Sequence, residues 1–460
     1  MHSLISMTSA FSFSYIRIGM IGALLALSGC ATYHALPLAR QPNLEHAPAG
    51  GTASAPEAST QAAPRLDLAS VARLALRNDP ALAAARARVK VAKAQAYDAG
   101  LLPDPTLGLS LDHPFNGGAP SDHHNPWSIG LTESLIGMIT HGDKHSAASA
   151  HYAATLLSWR WQAEQVALKA QATYLDVWAD RQIINALRSE AKAARQTLSA
   201  ASRARSEGAL PAALYQQAQQ QYSSILLRLR KTSDQALQAR DTLATLLRVN
   251  SDAPLKLSPP ATVQPPTAGT VGNAIQRLPR HRLDLLALQA GYRSADARLR
   301  ADILAQFPIL DIGFTRTRDN TGVNSFGFGI TLRLPIFNGN RGKIAVDRAT
   351  RKSLNAAYQA HLDSAANNAR TAWRRLRLAS HEMEEIETQL PALAHAARAS
   401  DAALARGDMT RFQALSAHTL WLDTRINVVQ LRAEASKLAL TLHMLLALPA
   451  NTTRPQGAST

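Results

Sequence analysis

The chain has one cysteine, Cys30, among 460 residues. No internal disulfide can form, and no cysteine-based metal site exists. Aromatic residues make up only 5% of the chain. Ala, Leu, Arg and Gln are abundant instead, as in long helices and coiled coils. The Gly-rich phosphate loop, the Gly-x-Ser-x-Gly elbow and the His-Glu-x-x-His motif are all missing. Charged pairs along the helical stretches fall at i,i+3 and i,i+4 and read as surface pairs. The chain is therefore not read as an enzyme. The net charge of +16 comes without a basic block or basic–aromatic interleaving. Arg and Lys are spread along helix faces, where their stems cover apolar neighbours, and nucleic acid is not an expected partner.

The N-terminus carries an export signal. Arg17 precedes the apolar run Ile18–Leu27, which ends in Leu27-Ser28-Gly29-Cys30. A run of about ten apolar residues is too short to span a bilayer as a helix, and the charged start and small-residue end fit a cleaved leader. Leu-Ser-Gly-Cys resembles the bacterial lipoprotein box, which implies a covalent lipid on Cys30 and no other cofactor. In that pattern Asp after the Cys marks inner-membrane retention, so Ala31 favours the outer membrane.

Four short segments alternate apolar and polar residues, in two pairs: Thr106–Asp112 with Trp127–Ser134, and Ile309–Thr315 with Ser325–Leu334. The rest reads as helix. Alternation puts Leu107, Leu109 and Leu111, Ile129 and Leu131, Leu310, Ile312 and Phe314, and Phe326, Phe328, Ile330 and Leu332 on one face, towards lipid. Ser, Thr, Gly and Arg333 face a wet lumen. Four strands cannot close a barrel, since about eight is the minimum, and open edges are not tolerated in hydrocarbon. Several copies must build the wall together. Trp127 reads equally well as an interfacial belt residue or as loop packing.

The two strand pairs belong to two halves that repeat each other. The expected organisation is a leader over 1–29, a lipid-anchored tether over 30–65, a first repeat over 66–250, a linker over 251–270, a second repeat over 271–449 and a tail over 450–460. Each repeat runs helix, hairpin, long helix, Gly turn, helix. The stretch from Thr140 to Ser206 has no Pro and predicts a helix roughly 100 Å long. Gly342 to Arg406 matches it, interrupted only by Pro391. Two helices of about 35 residues, such as Leu66–Leu102 and Pro211–Val249, would stack end to end beside each long one. The expected fold is mainly α with a small membrane β part.

The passage Ile330-Thr331-Leu332-Arg333-Leu334-Pro335-Ile336-Phe337-Asn338-Gly339-Asn340-Arg341-Gly342-Lys343-Ile344 resembles the strand-to-helix junction of TolC-type outer-membrane efflux proteins. Order and spacing carry the resemblance over nearly the whole mature chain. It implies a homotrimer with a twelve-stranded barrel in outer-membrane lipid. A periplasmic helical tunnel would meet an adaptor protein and an inner-membrane pump. The junction residues are Pro335, Phe337, Asn338, Gly339 and Arg341. The tips, Glu207-Gly208 and Gly407-Asp408, are implied as the aperture and adaptor contact. Relatives often carry an acid about six residues past each Gly, where this chain has Leu214 and Gln413. The Asn340-to-Ile344 ending is most similar to components of metal-cation pumps, so metal cations are slightly favoured over drugs as cargo. A non-transporting helical spacer is the alternative. His113, His123, His124, His141 and His145 form no closed ligand set, so no metal site is expected.

Overall fold

The computed structural model describes residues 35, 36, 38, 65–113, 124–263, 265–448 and 452–453. The chain divides into Met1–Leu44 and Glu45–Thr460, and every element described here lies in the second unit. The leader and Cys30 fall outside the described residues, as does all of the tether except residues 35, 36, 38 and 65.

The first repeat holds α1 (Leu68–Asn78), α2 (Pro80–Asp98), β1 (Thr106–Leu111), β2 (Trp127–Ser134), α3 (Leu135–Ser206) and α4 (Ala212–Leu247). A two-residue strand, β3 (Thr262–Val263), follows. The second repeat holds α5 (Ala268–His281), α6 (Leu283–Leu304), β4 (Ile309–Arg318), β5 (Asn324–Arg333), α7 (Arg341–Arg406) and α8 (Arg411–Leu445), and β6 (Thr452–Thr453) ends the series. The α3 helix has 72 residues and α7 has 66. At 1.5 Å per residue each reaches roughly 100 Å. Pro391 removes one rung of α7, yet the helix runs through it, since one lost hydrogen bond is a local cost in a long packed helix.

The single helix expected over Leu66–Leu102 is two. Asp79 is extended (φ −62°, ψ 119°), as a residue before proline is biased to be, and its carboxylate accepts from the Leu82 N–H at 2.7 Å. Pro80 then opens α2 at the position where its missing N–H costs nothing. The second repeat breaks at the equivalent place, at Arg282 (φ −78°, ψ 122°).

Helix α3 is the spine. It packs against α1, α2, α4, α6 and α8, while α7 packs against α5, α6 and α8. The largest core sits near the middle of both long helices, not at either end. There Val71, Tyr174, Leu175, Leu243, Leu247, Ala369, Leu376, Leu440 and Leu442 meet. The segment read as a linker contributes to this core through Ala253, Leu255 and Val263. Leu66 N–H donates to the Lys256 carbonyl, Ser258 N–H donates to Leu66, and β3 pairs with β6. The segment 251–270 therefore forms part of a packed girdle through these apolar residues, while Pro254, Pro259 and Pro265 stay exposed. Away from it the seams are thin and alanine-rich, with small clusters such as Ile183, Leu187 and Ile426.

One carboxylate on the spine sits against its own chemistry. Asp180 lies one turn beyond Asp176, which accepts from Lys437 Nζ at 2.6 Å. Burial first, then the Asp176 charge, pushes Asp180 up to about 6 from 3.8, opposed by Lys437. A raised acid penalises the folded state once ionised. The penalty is absent below pH 4, grows as pH rises towards 6, and is complete above it. Solvent screening reduces the shift to about 1–2 kcal/mol in stability. Asp180→Asn should therefore raise the thermal unfolding temperature at pH 7.5 and leave it unchanged at pH 4, as followed by circular dichroism.

Candidate functional site

The four long strands form one antiparallel sheet in the order β1-β2-β4-β5. Cross-strand pairing stacks their side chains in rows. One face carries the row Leu107–Leu131–Phe314–Phe328, with Leu109–Ile129–Arg316–Phe326 on one side of it and Glu133–Ile312–Ile330 on the other. Leu310 and Leu332 continue the same face. With Leu111, opposite Trp127, this face holds twelve Leu, Ile and Phe side chains of the four strands. They stay in solvent contact in the single chain: Leu111 is 74% and Phe326 73% exposed. The opposite face carries Thr106, Gly108, Ser110, Gly130, Thr132, Gly313, Thr315, Gly327, Gly329 and Thr331, with Asp311 and Arg333 towards the helices. Short side chains keep that face open. A Cβ on Gly313 would meet Thr132 Oγ1 at 3.0 Å.

Two features of this wall depart from the sequence reading. Strand β4 continues past Thr315 to Arg318, which places Arg316 and Arg318 on the apolar face. Trp127 pairs with Arg318 in the row farthest from the helices, and the Arg316 guanidinium lies 5.9 Å from the Trp127 ring centroid. Trp127 thus stands at the end of the sheet farthest from the helices. Glu133, near the helical end, also shares the apolar face.

The passages from strand to helix differ between the repeats. β2 runs directly into α3 at Ser134–Leu135. After β5, Pro335 cannot donate to the ladder, and Ile336 and Phe337 protrude, Phe337 being 89% exposed. The left-handed turn lies at Gly339 (φ 52°) and Asn340 (φ 55°), one residue later than the Asn338-Gly339 pair suggested. Arg341 clasps it, donating from Nε to the Asn338 carbonyl at 3.2 Å and from Nη2 to Phe337 at 3.1 Å. Asn340 Nδ2 donates to the Asp302 carbonyl at 2.8 Å and ties the junction to the end of α6. Asn340 was not read from the sequence as a turn residue, although Asn is enriched among non-Gly residues in left-handed backbone.

The other ends of α3 and α7 close with one motif used twice. Gly208 (φ 75°) and Gly407 (φ 84°) are left-handed. Ala209 N–H returns to Ala204 and Asp408 N–H to Ala403, the six-to-one bond of a Schellman cap. Glu207 precedes Gly208 in solvent. Asp408 accepts from Arg406 Nε at 2.8 Å. Gln413 is spent locally: its Oε1 accepts from Thr410 N–H at 3.0 Å in a capping box. Leu214 is 39% exposed. Above the tips a cavity of about 220 Å³ lies between α3, α7 and α8, lined by Glu190, Thr197, Asp401, Arg411 and His418. Glu190 is 1% exposed and was not anticipated; burial, then the Asp423 charge, pushes its carboxyl above the ordinary value. His418 Nε2 is 2.8 Å from Asp401 Oδ1.

The histidines are dispersed. His141 and His145 stack with ring centroids 6.4 Å apart. His113 Nδ1 lies 2.8 Å from Asn125 Oδ1, and His123 is outside the described residues. Among the described residues, no three His, Cys, Asp or Glu side chains converge on one point.

Residues 274–447 match the model of a family described as outer membrane efflux protein. Solved structures share the fold over most of the chain. The Campylobacter jejuni CmeC outer membrane channel is 15% identical with a TM-score of 0.68, covering 87% of this chain and 94% of its own. The Neisseria gonorrhoeae MtrE outer membrane channel, in its open state, is 17% identical with a TM-score of 0.65, covering 90% and 98%. CusC, whose crystal structures concern folding and transmembrane channel formation, is 16% identical with a TM-score of 0.66, covering 83% and 92%. No curated protein matches by sequence.

Proposed function

We propose, for a chain whose residues 274–447 carry the outer membrane efflux protein domain and whose fold is that of outer-membrane efflux channels, that three copies form the exit duct of a tripartite efflux system. The observation that carries this reading is the register of the strand wall. One face is mainly apolar and solvent-exposed, the other mainly Ser, Thr and Gly, and among the described residues β1 and β5 end the sheet without neighbours. Hydrocarbon does not tolerate free strand edges. Three four-stranded walls closed edge to edge give about twelve strands, a size that leaves a passage inside. The ten residues of β5, at about 3.4 Å each and tilted as barrel strands are, match the height of an apolar membrane band.

The helices continue the duct through the periplasm, and the paired tips at Gly208 and Gly407 meet the adaptor and the inner-membrane pump. The chain itself is a conduit and not an enzyme; energy comes from the pump. Cargo is small solutes, with metal cations slightly ahead of drugs on the Asn340–Ile344 ending. The protein reaches the outer membrane as a Cys30-linked lipoprotein.

Single-channel recording in planar bilayers tests this reading. Discrete conductance steps from a protein that is trimeric in mild detergent are expected. A monomer without steps points to the helical spacer instead. Cys30→Ser should leave outer-membrane fractionation and trimer yield within about twofold of the parent, because a barrel anchors far more strongly than acyl chains.

A further inference from the structure

The apolar face of the strand wall does not stay apolar to its outer end. Beyond the row Leu107–Leu131–Phe314–Phe328 come Arg316 and then Arg318, level with Trp127 and Asn324. In the next position outward Asp112 N–H donates to the Pro126 carbonyl, and beyond it His113 Nδ1 lies 2.8 Å from Asn125 Oδ1. Arg316 and Arg318 share the apolar face, while Asp112 is of the opposite strand parity. Among the described residues no carboxylate shares that face in these rows, and Asp319 in the β4–β5 turn is engaged by Thr321 and Val323. Among the described residues Arg318 Nε is buried without a hydrogen-bond partner, and Nη2 lies close to the Gly322 turn. Arg316 rises from between Ile129 and Phe326, with its guanidinium near the Trp127 ring. Long cationic side chains at the edge of an apolar band reach towards the headgroup layer in this way. Beside Arg316 lies a shallow depression, bordered also by Leu109, Ser110, Leu111, Trp127, Ser128 and Ile129.

An apolar trough bordered by the Arg316 guanidinium, with Arg318 in the next row outward, matches an acyl chain whose headgroup bears phosphate. Guanidinium forks suit phosphate oxygens, and such charge-assisted bonds are about twice as strong as neutral ones. We propose that Arg316 and Arg318, with Trp127 as the platform, hold a phosphorylated lipid of the outer leaflet against each subunit. The proposal rests on the reading of this sheet as a membrane wall.

The test uses the full chain purified in maltoside detergent, with lipid retention counted by native mass spectrometry. The probes are a hexa-acyl disaccharide lipid with two phosphates and its fully dephosphorylated form. The parent should retain the phosphorylated form about tenfold more, as expected for charge-assisted recognition. Arg316→Gln with Arg318→Gln should bring retention down to the level of the dephosphorylated lipid. Arg333→Gln, on the opposite face, should retain it as the parent does. Equal retention of both lipids by the parent protein overturns the proposal, whatever the variants do. So does unchanged retention in the double variant. Displacement by millimolar inorganic phosphate also overturns it, since that marks a site for a free anion. Failure of the wall reading is separately visible in the same samples, as a monomer without conductance steps.

Discussion

Phe328→Asp should abolish trimer assembly, leaving an aggregated or degraded chain and almost none in the outer-membrane fraction. Phe328 lies in the central apolar row, with its ring 5.4 Å from that of Phe314, which in turn is 6.1 Å from Phe326. A carboxylate there loses an aromatic contact worth about 1 kcal/mol and meets a hydrocarbon penalty of about 2–3 kcal/mol. Closure repeats that cost in each copy, so roughly three times the sum opposes a single assembly step. The same charge on the inward face should cost little. Thr331→Asp is expected to assemble, but Thr331 pairs across β4 with Asp311, and like charges directly opposite remove up to about 1 kcal/mol. Ser325→Asp, opposite Thr317, is the cleaner control and should assemble at near-parental yield. Size-exclusion chromatography in detergent with outer-membrane fractionation reads both outcomes. Comparable losses at Phe328 and Ser325 would contradict the assignment of faces.

The parts of this fold that were legible in the sequence are those with a strict period and a strong contrast. In β5, Phe326 to Leu332 alternate against Ser325 to Thr331, and a slip of one residue would turn every side chain over. The long helices were legible because nothing in Thr140–Ser206 stops one. Gly208 and Gly407 were legible because a Schellman cap needs a left-handed residue that Gly supplies without strain. What was missed depended on partners far away in the chain. The signal for the α1–α2 break was present in Asn78-Asp79-Pro80, a cap residue before a proline, but the apolar pattern runs across it. At Arg282 the local signal is Pro279, inside the last turn of α5 and not at the break itself, and the break is held by contacts to two other helices. Proline counting marked 251–270 as a linker, because two-residue strands and isolated core positions such as Leu255 have no period to read. Strand β4 looked finished at Thr315 because Arg316 breaks the alternation. In a membrane wall such a residue marks the rim of the strand and not its end. Glu190 gave no warning, since one acid on an amphipathic helix resembles any surface charge until the neighbouring helices cover it.

The second large effect is expected at the α5–α6 break. Arg282 and Asp284 are only 4% and 9% exposed. They form a two-pronged pair, with Arg282 Nε to Asp284 Oδ1 at 2.8 Å and Nη2 to Oδ2 at 2.9 Å. Asp284 also accepts from Leu285 N–H at 2.9 Å, opening α6, and lies 2.8 Å from His361 Nε2 on α7. The Arg282 guanidinium stands 4.9 Å from the Trp161 ring centroid on α3. The pair thus joins the break to both long helices. Asp284→Ala would leave a guanidinium buried against an aromatic ring with only the more distant, half-buried Glu164 as a counter-charge, and removing the bonded partner of such a pair costs up to about 3–5 kcal/mol. A marked fall in thermal stability by circular dichroism is expected, together with a lower yield of trimer. Replacing both residues, Arg282→Met with Asp284→Leu, removes the uncompensated charge. It should recover most of the loss, because an apolar pair of similar volume is often neutral or better at a buried site. His361→Ala, which leaves the pair intact, should cost no more than about 1 kcal/mol. If the double variant is as unstable as Asp284→Ala, the break is held by side-chain shape and not by charge pairing. The electrostatic account of why two helices meet at Arg282 then fails.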